Sequence, residues 1–128
     1  MEIPIAVLVP FSEYKNVIEE LFKTKLTEKE ANGFIFDRKY ELDEDVFLKD
    51  PRRTLKESIA PPQTILFMLD IGQSVSHDVV ISVLSITLFE LVKKGLSWLK
   101  IGKSNITNLT LDEIRKVIRE ELDQHNEK

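Results

Sequence analysis

The stretch from Ser58 to Val92, SIAPPQTILFMLDIGQSVSHDVVISVLSITLFELV, decides the fold of this 128-residue chain. It contains only three charged residues, all acidic: Asp70, Asp78 and Glu90. Charged residues make up 31% of the whole chain, so most of this stretch must be buried. The pattern predicts a strand, a turn and a helix at the centre of a hydrophobic core.

The two halves of this stretch have different periodicities. Residues 64–71 are apolar on both faces, which is typical of a central strand. Ser74 or Ser76 can cap the helix that follows, and Asp78 suits the positive end of its dipole. We expect this helix at about 76–95.

Apolar patterns elsewhere predict three more strand regions and two more helices, separated by a charged irregular loop at about 43–62. The strands are expected at 3–9, at 34–42 and within 98–109. The helices are expected at about 13–25 and 110–123, before a frayed end at 124–128. Capping-box patterns predict the start of the last helix at Thr110 to Glu113 and of one further helical turn at Thr27 to Glu30. This order fits an α+β fold, namely a two-layer α/β sandwich with a ferredoxin-like β-α-β-β-α-β arrangement and an added C-terminal helix. A three-layer α/β fold is the alternative.

Composition favours a single domain over residues 1–128. The chain has no cysteine, which excludes disulfides and thiolate zinc sites. The start of the chain lacks the basic flank of a signal peptide, so we expect a cytoplasmic protein. The net charge of −4 is spread over mixed stretches, and lysines at 93–103 occur without arginine between them, which argues against nucleic-acid binding.

The turn between the central strand and the long helix is the one place where chemistry could be concentrated. Asp70, Ser74, His77 and Asp78 follow the carboxyl end of a strand, where α/β proteins often bind ligands. These residue types also cap helices and stabilise turns. The turn has only one glycine and therefore no phosphate-loop pattern. A small enzyme or an anion- or ligand-binding protein that uses these four residues is the alternative function.

Metal and cofactor sites are not indicated by the sequence. His77 and Asp78 are adjacent, so their side chains point about 100° apart on a helix and cannot share one metal. The other histidine, His125, lies near the end of the chain. Asp43 to Asp45 form an acidic turn without the glycine and ligand spacing of a calcium loop. We therefore predict no catalytic residues, no metal and no cofactor.

The long helix is apolar around most of its circumference. Its apolar part, residues 79–92, spans about 21 Å, which is too short for a bilayer core of about 30 Å. Either the rest of the domain buries it or another chain does, and the pattern favours neither. The candidate interface residues are Val80, Leu84, Ile86 and Leu88. The sequence thus predicts a non-catalytic, regulatory protein-interaction or assembly module, with a homo-oligomer or larger protein complex formed through this helix.

Overall fold

The computed structural model describes residues 1–53 and 63–126. In that part of the chain it shows an α+β fold with six strands and four helices. The strands are β1 (Glu2–Val9), β2 (Lys39–Asp43), β3 (Val46–Arg53), β4 (Gln63–Ile71), β5 (Trp98–Ile101) and β6 (Ser104–Ile106). The helices are α1 (Tyr14–Phe22), α2 (Glu28–Ala31), α3 (His77–Val92) and α4 (Leu111–Asn126). The α+β class predicted from the sequence is confirmed.

All six strands form one sheet in the order β2-β3-β4-β1-β5-β6, and every neighbouring pair is antiparallel. The two apolar strands β4 and β1 lie at its centre, paired from Glu2 opposite Asp70 to Val9 opposite Gln63. This order differs from that of a simple ferredoxin-like sheet. The reason is that two hairpins, β2-β3 and β5-β6, extend the sheet on both sides of the central pair.

The predicted loop at 43–62 must be corrected, because residues 46–53 form β3. Val46 and Leu48 alternate with more exposed residues and are buried opposite Ile71 and Leu69 of β4. Charged residues and Pro51 interrupt this alternation in the sequence, so no strand was predicted at these positions. The proline is accommodated at an irregularity where the register shifts between Lys49 and Arg52, since a bulge tolerates a missing N–H donor. Residues 54–62 of the predicted loop lie outside the described residues.

One face of the sheet, here called the covered face, packs against the three long helices. In antiparallel strands directly paired residues share a face, and the covered face therefore includes Ile5, Phe67 and Ile101, each at most 3% exposed. The buried side chains of α1, α3 and α4 belong to the same core cluster. The molecule thus has one hydrophobic core, between the helices and the covered face.

Much of the long helix α3 is buried within the domain. Ser76 caps it, accepting a hydrogen bond from the N–H of Val79. Val80, Leu84 and Leu88 are 0% exposed, because α3 packs against α4 as well as against the sheet side of the core. These burials explain why α3 is apolar on more than one side.

Two predicted helix starts are confirmed by their hydrogen bonds. Thr27 and Glu30 form the expected capping box at α2. At α4 the N–H of Glu113 donates to the hydroxyl of Thr110. The predicted frayed end lies in helix as far as residue 126, and residues 127–128 are outside the described part. None of the described helices combines the length and the apolar character needed to cross a membrane.

Candidate functional site: the uncovered face of the sheet

The opposite side of the sheet, here called the uncovered face, carries an apolar centre between charged groups. Its position follows from strand pairing, because paired residues form rows across the sheet. One row runs through Ile35, Arg52, Leu66, Ala6 and Lys100. Lys100 pairs in turn with Asn105 of β6, so the face extends from the segment before β2 as far as β6.

The apolar residues of this face come from four strands and from Ile35. Among the described residues, Ile35 is the most exposed large apolar residue, at 82%. Most of the others are half-buried. They are Pro4, Ala6, Leu8, Phe47, Leu66, Met68 and Trp98. Since all three long helices pack on the covered face, no helix of the described ranges covers these residues.

A shallow depression of about 290 Å³ lies in the middle of the uncovered face. Ala6, Leu66 and Met68 form part of its floor, while Arg52 and Lys100 stand at its two sides. Ala6 is the smallest side chain in the central row, and the strands on each side carry larger residues. The depression therefore lies where the side chains of the sheet are smallest. A protruding side chain of a partner can fill it.

The charged groups of this face are partly paired. The Lys49 ammonium forms ion pairs with the carboxylates of Glu2 and Asp70, at 2.5 Å and 3.4 Å. The hydrogen bond from Lys49 to Glu2 is the largest cause of the raised pKa of Lys49, and Asp70 adds to it against the opposing effect of burial. Within residues 1–53 and 63–126, neither Arg52 nor Lys100 forms an ion pair.

The residues predicted as a ligand site are not brought together. The carboxylate of Asp70 lies on the uncovered face beside Lys49. His77 lies at the other side of the sheet, where its Nδ1 is 3.6 Å from a carboxylate oxygen of Asp123 in α4. Asp78 lies 3.6 Å from Arg119 of the same helix, and Ser74 is exposed in the turn. Two of the four residues thus connect α3 to α4.

The surroundings of this turn also disfavour an anion. The N–H of Gly72 donates to the carbonyl of Asp45 at 2.8 Å, which places the turn against the acidic β2-β3 hairpin. Ser74 and Ser76 line a depression together with three carboxylates, those of Asp43, Glu44 and Asp45. Negative charge there raises the free energy of a bound anion. In the part of the chain that the structure describes, no group of three or more potential ligand side chains could hold a metal ion.

Of the four candidate interface residues on the long helix, only Ile86 is accessible. It is 51% exposed, whereas Val80, Leu84 and Leu88 lie in the core. Because α4 and the core bury these three residues, the many apolar residues of α3 do not require a second chain.

The uncovered face could not be predicted from the sequence. A strand that is apolar on both sides has the same pattern whether helices pack on both of its faces or on one. The signal was present in β1 and β4, whose second faces carry Ala6, Leu8, Leu66 and Met68. The sequence could not show that all three long helices gather on the opposite face.

Comparisons with known proteins assign this chain to no group: no family model, no curated protein and no solved structure matches it.

Proposed function

We propose that this protein is a non-catalytic protein-interaction module that self-associates through the uncovered face of its sheet. The observation that carries the proposal is the apolar centre of this face, from Trp98 on β5 to Phe47 on β3, with Ile35 at its edge. A surface of this kind loses contact with water when a second sheet packs on it.

The size of the uncovered face supports a second copy as the partner. The six strands contain between three and nine residues each, 37 in all. At about 3.3 Å per residue and about 4.8 Å between strands they give a face of about 590 Å². This area is near the lower end of the range for stable interfaces, which is about 600 Å² per partner.

The charge balance of the face points the same way. Its bases and acids are equal in number, so two copies have no net repulsion, and a strongly acidic or basic partner gains no net attraction. The four bases are Lys39, Lys49, Arg52 and Lys100, and the four acids are Glu2, Glu41, Asp50 and Asp70.

Self-association through α3, as predicted from the sequence, would depend on Ile86 and its exposed neighbours alone, because the other candidate interface residues are buried. The alternative function at Asp70 to Asp78 has no observation in its favour, because Asp70 faces away from His77 and the turn is surrounded by carboxylates.

Light scattering over a series of protein concentrations tests the proposal with two matched variants. Leu66→Glu places a charge at the centre of the uncovered face, and Ile86→Glu places one on the exposed side of α3. We expect the wild type and Ile86→Glu to exceed 14.8 kDa as concentration rises, while Leu66→Glu stays monomeric and keeps its circular dichroism spectrum. A wild type that stays monomeric, or dissociation by Ile86→Glu alone, contradicts the proposal.

A further inference from the structure

A second cavity, of about 180 Å³, lies beside the β5-β6 hairpin and shares Pro4 and Gly102 with the lining of the central depression. Its walls expose mainly carbon atoms. The residues that line it are Pro4, Gly102, Lys103, Glu121, Gln124 and His125. One of them, Glu121, is a carboxylate that is only 2% exposed.

The hydrogen bonds of Glu121 use one of its two oxygens. The hydroxyl of Ser104 donates to Oε1 at 2.6 Å, and the backbone N–H of Lys103 donates to the same oxygen at 3.3 Å. No hydrogen bond to Oε2 occurs among the described residues. This oxygen lies against Gly102, where a Cβ atom would come within 2.2 Å of it.

The negative charge of Glu121 has no cationic partner inside the described part of the domain. Lys103 and His125 line the same cavity, yet neither forms an ion pair with Glu121 in residues 1–53 and 63–126. A buried carboxylate without a positive partner is costly. The hairpin does not need that charge, since a neutral glutamine could accept the same two hydrogen bonds through its carbonyl oxygen.

We propose that this cavity binds a small organic ammonium ion with an apolar body. The ammonium group donates to Oε2 of Glu121 and neutralises its charge, and the apolar body packs on Pro4 and the carbon atoms of Gln124. A dry engineered cavity of about 150 Å³ holds benzene, so benzylammonium has a suitable size. This inference does not rest on self-association, because Glu121 and Gln124 belong to α4 on the covered side, although Pro4 and Gly102 border both sites.

Nuclear magnetic resonance titration of the backbone amides tests the site with three small probes that share a phenyl ring and differ in charge. Benzylammonium should shift the amide signals of Gly102 and Lys103 saturably below about 10 mM. Benzyl alcohol should bind at least about tenfold more weakly, because it lacks the charge-assisted hydrogen bond. Benzoate should not bind. Absence of saturable shifts with benzylammonium, or equal binding of the alcohol, overturns the inference.

Three variants locate the site. Glu121→Gln should weaken benzylammonium binding by at least about tenfold, whereas Glu120→Gln, an exposed neighbour with the same charge change, should leave it unaltered. Gln124→Phe fills the cavity without touching the carboxylate and should also abolish binding, so it carries the test if Glu121→Gln does not fold. Binding that survives a folded Glu121→Gln, or survives Gln124→Phe, contradicts the proposed site.

Discussion

The two faces of the sheet are built from the same strands and differ in what completes them. On the covered face Val7, Leu69 and Leu99 are 0% exposed, because helices from three parts of the chain pack on them. On the uncovered face their neighbours Leu8, Met68 and Trp98 are only half-buried. The comparison indicates that the domain folds around one face, while no helix of the described residues covers the other.

Two adjacent arginines on β3 show the same difference for polar groups. Arg53 lies on the covered face, where its guanidinium stacks on the rings of Tyr14 and Phe34 at 4.2 Å and 4.8 Å and donates to the carbonyls of Gly33 and Asn32. Arg52 points to the uncovered face and is exposed. Of these two arginines, only Arg53 has side-chain partners among the described residues.

Leucine truncation on each face gives the largest expected contrast. Leu84→Ala removes a fully buried side chain of α3 and should lower the free energy of unfolding by about 2–5 kcal/mol. Leu66→Ala on the uncovered face should cost less than about 1 kcal/mol in dilute solution, since little packed volume is lost. Urea unfolding of the two variants measures both values. Equal losses would mean that the uncovered face is packed within the monomer.

The arginine pair gives the next largest contrast. Arg53→Met should destabilise the protein by about 1–3 kcal/mol, because it removes two ring contacts and two hydrogen bonds to carbonyls. Arg52→Met should change stability by no more than about 0.5 kcal/mol. Thermal unfolding monitored by circular dichroism distinguishes them. A larger effect at Arg52 than at Arg53 would reverse the assignment of the two faces.

The smallest expected effect is a pH dependence at α2. The pKa of Glu30 is lowered from 4.5, chiefly because the backbone N–H of Thr27 donates to its carboxylate and next because Arg38 bonds to it. A carboxyl with a lower pKa in the folded state stabilises the fold above the unfolded pKa, and this contribution is lost as pH falls through the folded value.

The wild type should therefore lose more stability than Glu30→Gln between about pH 5 and pH 3. Glu28→Gln, an exposed change in the same helical turn, is the control and should follow the wild type. Urea unfolding at each pH provides the measurement. Parallel pH profiles for the wild type and Glu30→Gln would show that this bond does not contribute.

The elements with local signals could be predicted from the sequence. The central strand at 64–71, the capped long helix and the capping boxes at Thr27 and Thr110 depend on neighbouring residues, which determine periodicity and caps. Strand β3 was hidden because Pro51 and four charged residues interrupt its apolar alternation. The strand order depends on pairing between distant segments, such as Ile5 with Ile101, and no local pattern encodes that choice.

The candidate site shows the same limit. The excess of apolar residues in α3 was visible, but only the packed structure shows that α4 and the rest of the core bury Val80, Leu84 and Leu88 within one chain. The surplus apolar surface lies instead on the second faces of β1 and β4. Likewise, the spacing of Glu121 from the β5-β6 hairpin gives no sign that Ser104 and Gly102 enclose its carboxylate.

Fluorescence of Trp98 during dilution tests the central claim most directly. It is the single tryptophan of the chain and lies on the uncovered face, paired with Leu8. If this face binds a second copy, dilution should shift the emission of Trp98 to longer wavelength over the same concentration range in which the mass falls to 14.8 kDa. A fall in mass without a change in Trp98 emission, or a mass of 14.8 kDa at every concentration, would contradict the account.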